Sequence, residues 1–119
     1  MILKKKTYKI ATILPYKESY TFDYASAVSL WVSEYYKKSK FRKNNYIFGN
    51  TNLGKYLTKN YTNIPLNNLK LRFKSTSNEY TEKLIIELNK KQFEIIEVHN
   101  RHLVLIKLLD KIKSKFIMY

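Results

Sequence analysis

The stretch Glu94–Arg101, Glu-Ile-Ile-Glu-Val-His-Asn-Arg, constrains this chain more than any other. It reads as a buried strand, Glu94–Val98, that closes on three polar residues. An apolar-periodic segment, Leu103–Ile112, follows at once. A strand that runs straight into a helix is a site-building unit. In open α/β sheets ligands bind beyond the carboxyl ends of the strands. His99, Asn100 and Arg101 are expected at such an edge.

The rest of the chain repeats the alternation. Thr7–Leu14 is a β-rich run closed by Pro15, apolar enough for a strand buried on both faces. Tyr16–Phe22 is aromatic and polar without a period and reads as a loop. A helix follows over roughly Tyr24–Lys38, with Asp23 as its expected N-cap. Val28, Trp31, Val32 and Tyr35 recur at i, i+3, i+4 and i+7, one helical face. Asn45–Phe48 reads as a second strand and Asn63–Leu66 as a short third one, with Pro65 placing it at an edge. The region Thr51–Asn63 is ambiguous, because Leu53, Tyr56 and Leu57 have helical spacing but Gly54 interrupts them.

Thr76–Lys91 is the clearest helix, opened by a Thr76–Glu79 capping-box signature. After Glu94–Val98 come a helix near Arg101–Ile112 and a last β-like run, Lys115–Tyr119. This order predicts one α/β domain over residues 1–119, a mostly parallel sheet with helices on both faces. The first strand should be central and parallel to Glu94–Val98. A parallel strand normally leads into a further loop and helix, so the reading expects a domain incomplete at its C-terminus.

Charge narrows the partners. With 23 basic and 9 acidic residues the net charge is +14, a field that draws nucleic acid, anionic lipid or phosphorylated substrates. The abundance of Lys, Asn, Ile and Tyr is equally the mark of a low-GC coding bias, so charge alone does not choose a partner. A specific RNA module needs aromatics on exposed strands. These strands read as covered, so nucleic acid is not the expected partner. There is no cysteine, which removes disulfide and thiolate chemistry. The apolar runs are too short to span a bilayer. A cytoplasmic protein is expected, with a peripheral position on the inner membrane face left open.

Motifs exclude more than they assign. With two glycines, at positions 49 and 54, neither a dinucleotide-binding Gly-x-Gly-x-x-Gly nor a P-loop exists. No nucleophile elbow occurs. His99 and His102 have helical metal-ligand spacing, but no carboxylate completes a set, so neither a metal nor another cofactor is expected. Asn100 reads as the N-cap of the next helix or as a cleft residue. Arg101 reads as a first-turn surface residue or as a clamp for phosphate or carboxylate. His99 reads as a satisfied core histidine or as a functional one.

The order of these blocks resembles the N-terminal domain of family 4 retaining glycosyltransferases of the GT-B type. The pieces are Ile-Ala-Thr-Ile-Leu-Pro-Tyr from Ile10, Ala-Ser-Ala-Val-Ser-Leu-Trp-Val from Ala25, Ile-Phe-Gly-Asn-Thr from Ile47, and Phe-Glu-Ile-Ile-Glu-Val-His-Asn-Arg from Phe93. They span nearly the whole chain. The resemblance implies an acceptor-side, Rossmann-like half that faces a second domain holding the nucleotide-sugar donor. It implies that the turn before the first helix approaches the donor phosphates, through Ala25 and Ser26 where the family often carries paired glycines. It implies that His99 contacts the transferring sugar or the acceptor, a glycan or a lipid-linked glycan. The family's Glu-x7-Glu motif belongs to the second domain, so the 119 residues alone are expected to be inactive. The alternative is a non-catalytic basic α/β module that binds anionic membrane or nucleic acid.

Overall fold

The computed structural model describes residues 8–16, 19–22, 25–51, 54–66, 76–99, 101–112 and 116–118, with the side chains of 76, 77, 102, 103, 116 and 118 left aside. Among these residues five strands form a single sheet: β1 Ile10–Ile13, β2 Asn45–Gly49, β3 Tyr61–Asn63, β4 Ile95–Val98 and β5 Phe116–Met118. The helices are α1 Ala27–Lys38, α2 Thr76–Asn89 and α3 His102–Lys111, and a 3₁₀ turn, Arg42–Asn44, leads into β2. The order across the sheet is β3-β2-β1-β4-β5, and every pairing is parallel.

This is a Rossmann-like α/β fold with β1 at its centre. β1 is buried at all four positions, as a strand covered on both faces must be. The chain steps outward from β1 to β2 to β3, then returns through α2 to lay β4 on the other side of β1. The reversal puts a topological switch point between β1 and β4, where open α/β sheets form their crevice. Ile10 is in register with Ile95 and Ile13 with Val98. The expected central, parallel pairing of the first strand with the β4 run is present.

Side-chain alternation divides the core between the two faces. Ala11, Ile13, Phe48, Ile96 and Val98 point to one face, where Tyr80, Leu84 and Leu88 of α2 and Val104 and Leu108 of α3 cover them. Leu14 and Ile47 belong to the other face, where Val32 closes the core with help from Val28 and Tyr36. Helices therefore lie on both faces, two against one. On the α1 face the β4 residues Ile95 and Glu97 are only half-buried, so among the described residues that flank of the sheet stays open.

Several boundaries differ from the sequence expectation. The N-cap of α1 is Ser26, not Asp23, which lies outside the described residues. The third strand is Tyr61–Asn63, slightly upstream of Asn63–Leu66, and is an edge strand as Pro65 suggested. Around Gly54, which has φ 102°, the described residues form no helix; Tyr56 instead bridges antiparallel to Thr21.

The main departure is the rotation of α1. Val32 is buried, but Trp31 and Tyr35 are exposed, and Ser29 and Ser33 face the core with it. The physical reason is size. Two serines at i and i+4 let the helix lie close on the sheet, which leaves the large rings of Trp31 and Tyr35 outside the contact. Both serines are hydrogen-bonded: Ser33 Oγ donates to Leu30 O at 2.9 Å, and Ser26 Oγ donates to Ser29 Oγ at 3.1 Å.

Candidate functional site

The crevice at the switch point is built by the ends of β1 and β4 and the first turns of α1. His99 leaves β4 with its N–H still donating to Ile13 O at 3.0 Å, so its backbone is an extension of the sheet. One residue beyond Val98, its side chain falls on the α1 face, as alternation requires. There its ring meets Trp31 at 5.9 Å between centroids, tilted by 58°. Ala27, Val28, Trp31 and His99 line an open cleft of about 370 Å³. Its walls are apolar apart from the imidazole.

Glu97 is one strand repeat before His99 on the same face. Its Oε2 is 3.9 Å from His99 Nε2, at the outer limit of an ion pair and too long for a hydrogen bond. Burial raises the Glu97 carboxyl above the ordinary carboxylate value and lowers the His99 imidazole below the ordinary histidine value. Both shifts disfavour the charged forms. At neutral pH His99 is therefore a neutral imidazole, able to donate from one nitrogen and accept at the other. Its Nε2 is shielded from solvent and has no hydrogen-bond partner among the described residues.

Ser26 and Ala25, the expected phosphate-approach residues, sit at the entry to α1. Ser26 is the cap itself: its Oγ accepts from Ser29 N at 3.1 Å. Its backbone is extended at φ −76° and ψ 167°, a conformation open to any residue, so no glycine is required there. Ala25 is half-buried and packs on the α1-side core.

The structure separates His99 from Arg101. Arg101 occupies the N-cap position of α3 without a capping side-chain bond, and its guanidinium carbon lies 5.1 Å from the centre of the Tyr16 ring. Tyr16 in turn packs on Tyr80 of α2. Arg101 thus turns to the α2 side of the sheet edge, whereas His99 turns to α1. Asn100, expected as the N-cap, lies outside the described residues, and Arg101 holds that position.

A second polar cluster ties the neighbouring strand ends together. Tyr20 N donates to Thr51 Oγ1 at 2.8 Å, Thr51 Oγ1 shares a hydrogen bond with the Tyr61 hydroxyl at 2.8 Å, and Thr51 N donates to Asn63 Oδ1 at 2.7 Å. The Tyr20 and Tyr61 rings stack at 4.9 Å. Burial pushes the Tyr20 phenol up to about 12 and raises Tyr61 as well, so both hydroxyls keep their protons. The cluster pins the loop after β1 against the exits of β2 and β3. On the α2 side Tyr80, fully buried, donates its hydroxyl to Leu14 O at 2.6 Å and fixes the β1 exit from below. None of these contacts has a periodic signature in the sequence.

Among the described residues no group of three or more His, Asp or Glu side chains is placed to hold a metal ion. No helix among them is long and apolar enough to cross a membrane. Comparison with protein-family models, with curated proteins and with solved structures returns no match.

Proposed function

We propose that this chain is the acceptor-side half of a glycosyltransferase, holding a glycan or lipid-linked acceptor that receives a sugar from a nucleotide-sugar donor bound by a second domain. The observation that carries the reading is the cleft framed by Trp31 and His99 at the switch point of the sheet. A sugar ring has an apolar C–H face and a rim of hydroxyls. An apolar wall with one neutral imidazole suits both. His99 would hydrogen-bond a sugar hydroxyl and position it, while Trp31 and Val28 cover the ring. The donor diphosphate would be stabilised chiefly from the second domain, since charge developing in the transition state needs preorganised groups around it.

The chain contains one tryptophan, so the indole emission comes from Trp31, a wall of this cleft. Titration with neutral mono- and disaccharides should perturb that emission with dissociation constants on the order of millimolar, the range of about 4 kcal/mol. His99→Ala should weaken the response without lowering the melting temperature. With a donor domain supplied, the same substitution should reduce turnover by roughly 10²-fold, the low end for one positioned acid–base group. A flat fluorescence response across the saccharides, or a His99→Ala protein that melts early while binding normally, overturns the reading.

A further inference from the structure

The outward side of α1 carries a second pattern, which shares Trp31 with the cleft and continues past it along the helix. Trp31, Tyr35 and Lys38 lie at i, i+4 and i+7, and all three are exposed, the two rings at 59% and 52%. The rings stack on each other at 5.5 Å and 9° from parallel. Each uses one face on its neighbour, so the pair forms a single apolar wedge. Directly after it the chain reads Lys37-Lys38-Ser39-Lys40-Phe41-Arg42-Lys43, with the basic residues exposed and Phe41 at 50%. From Ala27 to Lys43 there are five basic residues against one acid, Glu34, and Glu34 is 3.6 Å from Lys37.

We propose that this ridge docks the protein on an anionic lipid bilayer. The two halves of the pattern match the two layers of such a surface. Aromatic rings with polar tips settle at the level of the headgroups. Lysine and arginine beside them meet the lipid phosphates and carboxylates. The sheet side of α1 is already packed, so the wedge faces away from the core, and charge complementarity selects an anionic surface over a neutral one. Single-stranded nucleic acid is the weaker fit. Successive bases need separate aromatic platforms along a basic groove. Here the two rings are consumed as one stack, and the cations gather at one end of the helix. The proposal goes beyond the acceptor reading and does not depend on it, because a bilayer without sugar headgroups suffices.

The test uses vesicles of phosphatidylcholine with and without phosphatidylserine. On the phosphatidylserine vesicles alone the protein should co-sediment and Trp31 emission should shift to the blue. Raising the salt should release it, since headgroup attraction fades within a Debye length. Removing one cation near the surface should weaken partitioning about fivefold. The combined variant Lys37→Gln, Lys38→Gln, Arg42→Gln should therefore lose roughly 100-fold. Tyr35→Ser should bind less and shift Trp31 less, with circular dichroism unchanged. Equal partitioning on neutral and anionic vesicles overturns the proposal. So does binding with no Trp31 shift, or binding that the triple variant leaves intact, because another basic segment would then make the contact. A single-stranded RNA oligonucleotide that binds at the same salt and shifts Trp31 more than the vesicles do also overturns it.

Discussion

Gly49 is the residue whose replacement tests the packing of the site edge most directly. It ends β2, and its carbonyl accepts from Ile64 N at 2.7 Å, so its backbone is held by the sheet. A methyl group there would lie 2.9 Å from the Tyr61 hydroxyl oxygen and 3.2 Å from both Tyr61 Cε2 and Leu14 Cδ1. Tyr61 has little room to retreat. Its ring is stacked on Tyr20 at 4.9 Å and lies 4.4 Å from Tyr56, and its hydroxyl is bound to Thr51. Gly49→Ala must either overpack this cluster, at about 1–3 kcal/mol, or break the Tyr61–Thr51 hydrogen bond, at about 1 kcal/mol. A loss of about 2 kcal/mol is expected, read as a melting temperature lower by about 8 °C for a domain of this size. Urea titration followed by circular dichroism measures it. Tyr61→Phe removes the atom nearest the new methyl and leaves contacts of 3.2 Å, which a small shift relieves. The double variant should therefore be more stable than the two single losses add up to, by about 1 kcal/mol. A Gly49→Ala protein as stable as the parent, or strictly additive effects, would show that Tyr61 does not press on this position.

Two further outcomes follow from the site. Glu97→Gln should stabilise the fold above the shifted carboxyl pKa and do nothing well below the ordinary carboxylate range. The folded-state pKa is raised by burial, so the stability held by the protonated acid is lost as pH rises through it; thermal melts across pH check this, and a variant equally stabilised at all pH values would refute it. Ser26→Ala should cost about 1 kcal/mol, because the hydroxyl caps α1 through Ser29 N; an Ala variant as stable as the parent in denaturant titrations would mean that the cap bond is not made.

The fold was legible because its signals are local. β1 and β4 are short, mostly apolar runs, β1 closed by Pro15 and β4 by a change to polar residues, and α2 repeats apolar residues at helical spacing over fourteen residues. Order then does the rest, since right-handed crossovers leave few ways to arrange β-α-β units. Short elements with weak signals drifted. β3 has three residues and shares Asn63 alone with the run assigned to it from sequence. Its place is set by Ile47 N donating to Asn60 O and Ile64 N donating to Gly49 O, contacts between distant segments that no local pattern encodes.

The site was legible only in part, and α1 shows why. Spacing fixes which residues share a helical face; it does not say which face meets the sheet. Val28, Trp31, Val32 and Tyr35 form the more apolar stripe, and hydrophobicity alone would bury it. Packing chose Ser29, Val32 and Ser33 instead, because close approach to the sheet rewards small side chains over large ones. That rotation by part of a turn takes Trp31 out of the core. It stands Trp31 against His99 as a wall of the cleft and leaves Tyr35 stacked beside it at the surface. His99 itself needed no such rotation. Its face follows from strand alternation counted from Val98, and its height follows from the hydrogen bond to Ile13 O. Arg101, two residues later, has left the strand and obeys no such count, which is why it parts from His99 and turns to Tyr16. Side chains still on the sheet are placed by sequence; those on the first residues after it are placed by what the next helix needs.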